Sequence, residues 1–107
     1  MGPERAVAAA GGTVVPRARF AYFYIMKADP DGVRAVAPRH ASHWRHLRLP
    51  QFVGGPFGDR TGGLITFDAH DLAEAERAVC KDPFILEGLV AAHWLKQWTP
   101  EPNGPTS

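Results

Sequence analysis

Residues 19–26 have the sequence RFAYFYIM, and this stretch decides the fold class. Aromatic and β-branched residues dominate it, which is typical of a β-strand. Apolar side chains occupy both alternating faces, so we expect the strand to be covered on both sides. The sequence Asp29-Pro30-Asp31-Gly32 follows and predicts a turn.

Beyond this turn, apolar residues recur at helical spacing from Val33 to Leu49. Pro38 interrupts the pattern. A proline fits best in the first turn of a helix, where its missing N–H costs nothing. We therefore place the main helix at about Pro38–Leu47, preceded at most by one helical turn, with Pro50 marking its end.

The next segment predicts a hairpin, in which residues 51–55 and residues 63–67 pair around a turn at residues 56–62. Asp71 is a predicted N-cap with Glu74 three residues later, as in a capping box, and the helix Leu72–Cys80 follows.

The last part of the chain predicts a short helical piece and a strand. Asp82-Pro83 opens the helical piece, which Gly88 ends. The final strand is Val90–Trp98.

The resulting order is β-α-β-β-α-β, which predicts a ferredoxin-like α+β fold: a four-stranded antiparallel sheet with both helices on one face. The other face would expose large apolar side chains to water in a monomer. We therefore expect a homodimer in which two copies pack sheet to sheet.

Composition narrows the class of protein. The chain has 107 residues, of which 45% are hydrophobic, so we expect one folded domain. We place that domain at residues 17–99, between a flexible leader at residues 1–16 and a flexible tail at residues 100–107. The net charge is +1 without a basic patch, which argues against nucleic-acid binding.

Two further features of the sequence bear on where the protein is located in the cell. No apolar run approaches the roughly 20 residues that a membrane span needs, and we identify no signal peptide. The single cysteine, Cys80, cannot form an intramolecular disulfide and is interpreted as a small buried apolar residue of its helix. We expect a soluble cytoplasmic protein that binds neither membrane nor nucleic acid.

A series of short motifs then identifies a family. In chain order they are Arg39-His40 with Trp44, Gly55-Pro56-Phe57, Gly62-Gly63-Leu64, Glu74-Ala75-Glu76, Asp82-Pro83-Phe84 and Gly88-Leu89. The ordered set, from about Arg19 to Trp98, resembles the YCII-related (YciI-like) family. The resemblance implies a dimeric ferredoxin-like α+β barrel with an active-site pair at His40 and Asp82. Around this pair we expect a ligand-binding set: Arg39, Trp44, Gly55 and Phe57.

His40 lies on the apolar stripe of the predicted helix, in its first turn. A helix N-terminus and burial both disfavour a charged imidazolium, and a neutral ring can act as a general base. A core histidine bonded to a backbone carbonyl is the structural alternative. Asp82 could orient such a ring, but Asp before Pro is also a good N-cap, which explains Asp82 without catalysis.

Metal binding fits poorly. His40, His43 and His46 are spaced three apart, so His40 and His46 point in different directions on a helix. No companion cysteine or carboxylate motif completes a site. We expect neither metal nor cofactor.

The function favoured by these residues is small-molecule acid–base catalysis, isomerase- or lyase-like, in a pocket between the first helix and the sheet. A non-catalytic metabolite-binding or regulatory module of the same fold is the alternative. A cofactor-independent oxygenase is a third possibility, for which the sequence offers no distinguishing residue.

Overall fold

A computed structural model describes residues 17–101 of the chain, and the predicted leader and residues 102–107 of the predicted tail lie outside them. The elements, in chain order, are β1 (Ala18–Met26), α1 (Pro30–Leu47), β2 (Val53–Pro56), β3 (Gly62–Ala69), α2 (Leu72–Cys80), α3 (Pro83–Leu86) and β4 (Val90–Gln97).

The four strands form one antiparallel sheet in the order β2-β3-β1-β4. The first strand of the chain is therefore central, which is why it is apolar on both faces. The β-α-β-β-α-β order and the antiparallel sheet confirm the ferredoxin-like α+β fold. Part of the predicted hairpin is also confirmed, because β2 and β3 pair from Val53 opposite Thr66 to Pro56 opposite Gly63.

Alternate side chains of β1 point to opposite faces of the sheet. Phe20, Tyr22 and Tyr24 are 1%, 0% and 4% exposed and pack in the core under the helices. Phe23 points the other way and stacks on Trp94 of β4, with 4.6 Å between ring centroids. Both of these side chains are more than a third exposed, so the open face of the sheet is apolar.

The prediction for α1 was wrong at its start. The helix begins at Pro30, where a turn had been predicted, and Pro38 lies in its interior. Asp29 caps it by accepting a hydrogen bond from the Gly32 N–H at 3.0 Å. An interior proline costs about 3 kcal/mol, but the helix buries Val36 and Trp44, each worth about 1.5–3 kcal/mol.

The second helix matches its prediction at both ends. Asp71 accepts from the Glu74 N–H at 2.9 Å, as expected of an N-cap, and the Glu74 carboxylate accepts from the N–H of His70, one residue before the cap, at 2.7 Å. Cys80 ends this helix with its side chain exposed, so its predicted burial was wrong.

None of the helices in the described part of the chain has the length and apolar character that a membrane span requires.

Candidate active site

The carboxylate of Asp82 is completely buried and lies at the N-cap of α3. It accepts a hydrogen bond from the Phe84 N–H at 2.9 Å, which is the capping bond expected before Pro83. It also accepts from the indole Nε1–H of Trp44 at 2.9 Å. The capping role is therefore real, and it uses only part of the hydrogen-bonding capacity of the carboxylate.

The remaining partner of Asp82 is His40. The Nδ1 atom of the ring lies 2.8 and 2.9 Å from the two carboxylate oxygens, so Nδ1 donates to Asp82. Since a neutral imidazole carries one proton, this bond assigns the lone pair to Nε2. The ring also stacks on Phe84, with centroids 4.2 Å apart, which fixes its plane. The structure thus brings together the two residues that the family resemblance implied as a pair.

The local position of His40 differs from the prediction. Because α1 begins at Pro30, His40 lies well inside the helix and not in its first turn. The field of a helix terminus is confined to the terminal turn, so it has no bearing on His40. The hydrogen bond to Asp82 and the partial burial of the ring, 15% exposed, define its environment instead.

Tyr24 is a third side chain at this site, and it was not predicted from the sequence. Its hydroxyl lies 3.4 Å from Nε2 of His40, a long contact on the side of the ring opposite Asp82. Burial, and next the negative charge of Asp82, raise the pKa of Tyr24 to about 12, so the hydroxyl keeps its proton at neutral pH. Strand alternation from Phe20 was the available signal, because it places Tyr24 on the helix-covered face.

Gly63 makes room for this hydroxyl. It lies opposite Tyr24 in the β1–β3 pairing, and a Cβ atom at Gly63 would stand 2.4 Å from the Tyr24 hydroxyl oxygen. No side chain can occupy that space without displacing the phenol, so the glycine of this motif has a steric role at the site.

His40 and Tyr24 both line a cavity of about 390 Å³, within the range of small-molecule sites. Its walls come from α1, the strands β1, β2 and β3, the β2–β3 turn and α3. The lining residues are Tyr24, Met26, Val33, Ala37, His40, Ala41, Trp44, Arg45, Phe52, Gly54, Gly55, Pro56, Arg60, Gly62, Ile65 and Phe84.

Of the residues expected to bind ligand, Trp44 and Gly55 line this cavity. Arg39 and Phe57 do not. Arg39 is directed to Glu87, with 3.4 Å between its Nη2 and the carboxylate, because it lies on a different side of α1 from Trp44. We therefore leave Arg39 and Phe57 out of the site.

The other histidines of α1 have structural partners. His43 contacts the Ala78 carbonyl at 2.8 Å, which ties α1 to α2, and His46 lies 2.8 Å from the Ser42 carbonyl within its own helix. Within residues 17–101 no three His, Cys, Asp or Glu side chains are grouped as a metal site would require.

Comparison with known proteins agrees with this architecture. The model of the YCII-related domain family matches residues 5–99. The chain belongs to that family. No curated protein matches the sequence.

Similar solved structures include two bacterial proteins. One is 5-chloro-2-hydroxyhydroquinone dehydrochlorinase from Burkholderia phenoliruptrix, in complex with 2,5-dihydroxybenzoquinone; it is 26% identical, with a TM-score of 0.58 over 76% of this chain and 93% of that chain. The other is a candidate antibiotic biosynthesis monooxygenase from Bacteroides thetaiotaomicron, 16% identical, with a TM-score of 0.54 over 82% of this chain and 92% of that chain. The second shows the fold alone.

Proposed function

We propose that this chain is a lyase- or isomerase-like enzyme that moves a proton of a small hydroxylated ring compound with His40 and needs no cofactor. The observation that carries the proposal is the Asp82–His40 bond, which leaves Nε2 free of its own proton beside a cavity of ligand size. A YCII-related family membership and a likeness to a dehydrochlorinase support this class of chemistry.

In the proposed step, Nε2 of His40 takes a proton from the substrate. The electron pair of the broken bond forms a new double bond, and in an elimination the leaving group departs with its own pair. Asp82 holds the ring and stabilises the imidazolium that forms, as a carboxylate does in other His–carboxylate pairs.

The proposal gives Tyr24 the complementary task. Its protonated hydroxyl donates a hydrogen bond to the substrate oxygen that gains negative charge. The walls of Trp44, Phe52 and Phe84 suit a flat ring, because aromatic side chains stack favourably on it.

The test is chloride release from 5-chloro-2-hydroxyhydroquinone by the purified full chain. We expect His40→Gln, which removes the base but keeps a polar side chain of similar length, to lower the rate by about 10²–10⁴-fold. Circular dichroism checks that the variant is folded. Equal rates for the two proteins would overturn the assignment of His40, and binding without turnover in the unsubstituted protein is what the non-catalytic alternative predicts.

We further propose that a second copy covers the open face of the sheet, where Phe23, Leu64 and Trp94 are 37%, 42% and 42% exposed. An exposed apolar patch of this kind is typical of a protein–protein interface. Sedimentation velocity at micromolar concentration should give a dimer, and a monomer would contradict it. A cytoplasmic location stays a prediction from the sequence.

A further inference from the structure

The cavity at His40 carries two positive side chains that no sequence motif singled out, Arg45 and Arg60. We propose that this site binds its hydroxylated ring compound as an anion, and that Arg45 and Arg60 hold the ionised oxygens while the ring reaches His40. The inference rests on the proposed function, because it names the substrate class of the same site.

The charged residues that line the cavity are all basic. Two arginines line the cavity, and none of its lining residues, all within residues 17–101, carries a carboxylate. The nearest acidic group of the site, Asp82, is completely buried behind His40 and is occupied by the N–H donors of Trp44 and Phe84. A neutral ligand would leave the two cations without a counter-charge, whereas an anion supplies one.

Neither arginine is engaged elsewhere in the described part of the chain. Three of the six other arginines there have carboxylate partners: Arg19 pairs with Asp68, Arg34 with Asp31 and Arg39 with Glu87. Within residues 17–101 no such pair forms at Arg45 or Arg60. Their guanidinium groups can therefore turn to a ligand without breaking an ion pair.

The two arginines come from different walls. Arg45 lies in the last turn of α1, four residues after Ala41, which also lines the cavity. A helix C-terminus favours a cation at this position, but that preference would be met by any direction of the side chain. The preference of a helix C-terminus for a cation therefore does not explain why Arg45 lines the cavity.

Arg60 lies in the β2–β3 turn, which is tightly hydrogen-bonded. Its N–H donates to the Phe57 carbonyl at 2.9 Å, and the Thr61 hydroxyl donates to Asp59 at 2.7 Å. The hydrogen bonds from Thr61 lower the pKa of Asp59 and direct that carboxylate to Thr61. Arg60 itself adopts φ 65°, in the left-handed region where arginine is uncommon.

The chemistry of the pair indicates the anion. A guanidinium binds planar oxygen anions through paired N–H donors, so carboxylates and the ionised hydroxyls of hydroxyquinones fit. Such hydroxyls ionise readily because the ring carbonyls share the charge. The remaining walls are apolar and aromatic and suit the ring itself.

The experiment compares two probes by titration calorimetry with the full chain: 2,5-dihydroxybenzoquinone, which is anionic at neutral pH, and its uncharged analogue 2,5-dimethoxybenzoquinone. The variants are Arg45→Gln and Arg60→Asn, since asparagine tolerates a positive φ. Arg34→Gln is the matched control, because it removes an exposed arginine of the same helix outside the cavity.

We expect each of Arg45→Gln and Arg60→Asn to weaken binding of the anion by roughly threefold to tenfold, and Arg34→Gln to leave it within twofold. Raising the ionic strength from about 0.01 to about 1 M should weaken it as well, because the Debye length falls from about 30 to about 3 Å. Equal effects of all three variants, equal affinity for the two probes, or no binding of the anion would overturn the inference.

The same proteins separate this inference from the proposed function. Binding that depends on the arginines without any turnover would contradict the proposed function and support the anion site. Turnover that depends on His40 but does not change in either arginine variant would support the proposed function and contradict the anion site.

Discussion

The two faces of the sheet are built from similar side chains but differ in what those side chains meet. On the helix-covered face, Tyr22 and Tyr24 are buried beside Trp44 and the polar pair His40–Asp82. On the open face, Phe23 and Trp94 stack on each other and are more than a third exposed. Aromatic residues alone therefore do not mark the site; it lies where aromatic walls surround a few polar atoms with fixed partners.

The largest expected difference between the faces is how much the free energy of unfolding falls when an apolar side chain is truncated. Phe67 is completely buried and Leu64, on the same strand, is 42% exposed on the other face. We expect Phe67→Ala to lower the free energy of unfolding by about 3–5 kcal/mol at any protein concentration. Leu64→Ala should cost less, and its effect should depend on protein concentration if the open face binds a second copy. Urea titrations at two concentrations measure both, and a similar cost for the two variants would remove the contrast.

A smaller effect is expected at alkaline pH. In the unfolded chain a tyrosine titrates near pH 10, whereas the pKa of Tyr24 in the fold is about 12. Between these values the unfolded chain loses its proton first, so the free energy of unfolding falls as pH rises; below about pH 10 the contribution is fully present. The loss amounts to roughly 2–3 kcal/mol.

Denaturation at several pH values between 9 and 12 measures this loss of the free energy of unfolding. The Tyr24→Phe variant lacks the contribution of Tyr24 to it. Burial also raises the pKa of Tyr22, so the variant should keep part of the slope. An unchanged slope in Tyr24→Phe would contradict the assignment.

The smallest expected effect separates two neighbouring tyrosines. Tyr24 contacts His40 through its hydroxyl, while the buried Tyr22 hydroxyl has no hydrogen-bond partner within the described residues. We expect Tyr24→Phe to slow chloride release by about tenfold, equivalent to about 1.4 kcal/mol, because the oxyanion loses a donor. Tyr22→Phe removes the same atom from the same face and should change the rate by less than twofold. Equal effects would give Tyr24 no role beyond packing.

Local patterns predicted much of the fold. The alternation in β1 and the cap of α2 each depend on a few neighbouring residues, so both elements were predictable. The start of α1 was not, because Pro30 and Pro38 both fit a helix start by local rules; the longer helix also buries Val36, which lies before Pro38.

The site was less accessible from sequence. His40 and Asp82 are 42 residues apart, and their contact depends on the packing of α1 against α3, so only the family resemblance suggested it. Arg45 and Arg60 were missed because no local pattern tells which exposed arginines of a helix or turn face a cavity. Arg39 belongs to the Arg39-His40 motif of the family resemblance, but neighbours in a helix point in different directions.

The central claim is that Asp82 holds His40 with its lone pair on Nε2, and nitrogen-15 NMR of the imidazole tests it most directly. At a pH where the ring is neutral, we predict that the proton resides on Nδ1 and that Asp82→Asn abolishes this preference. A neutral His40 protonated on Nε2, or a tautomer that does not respond to Asp82→Asn, would contradict the account.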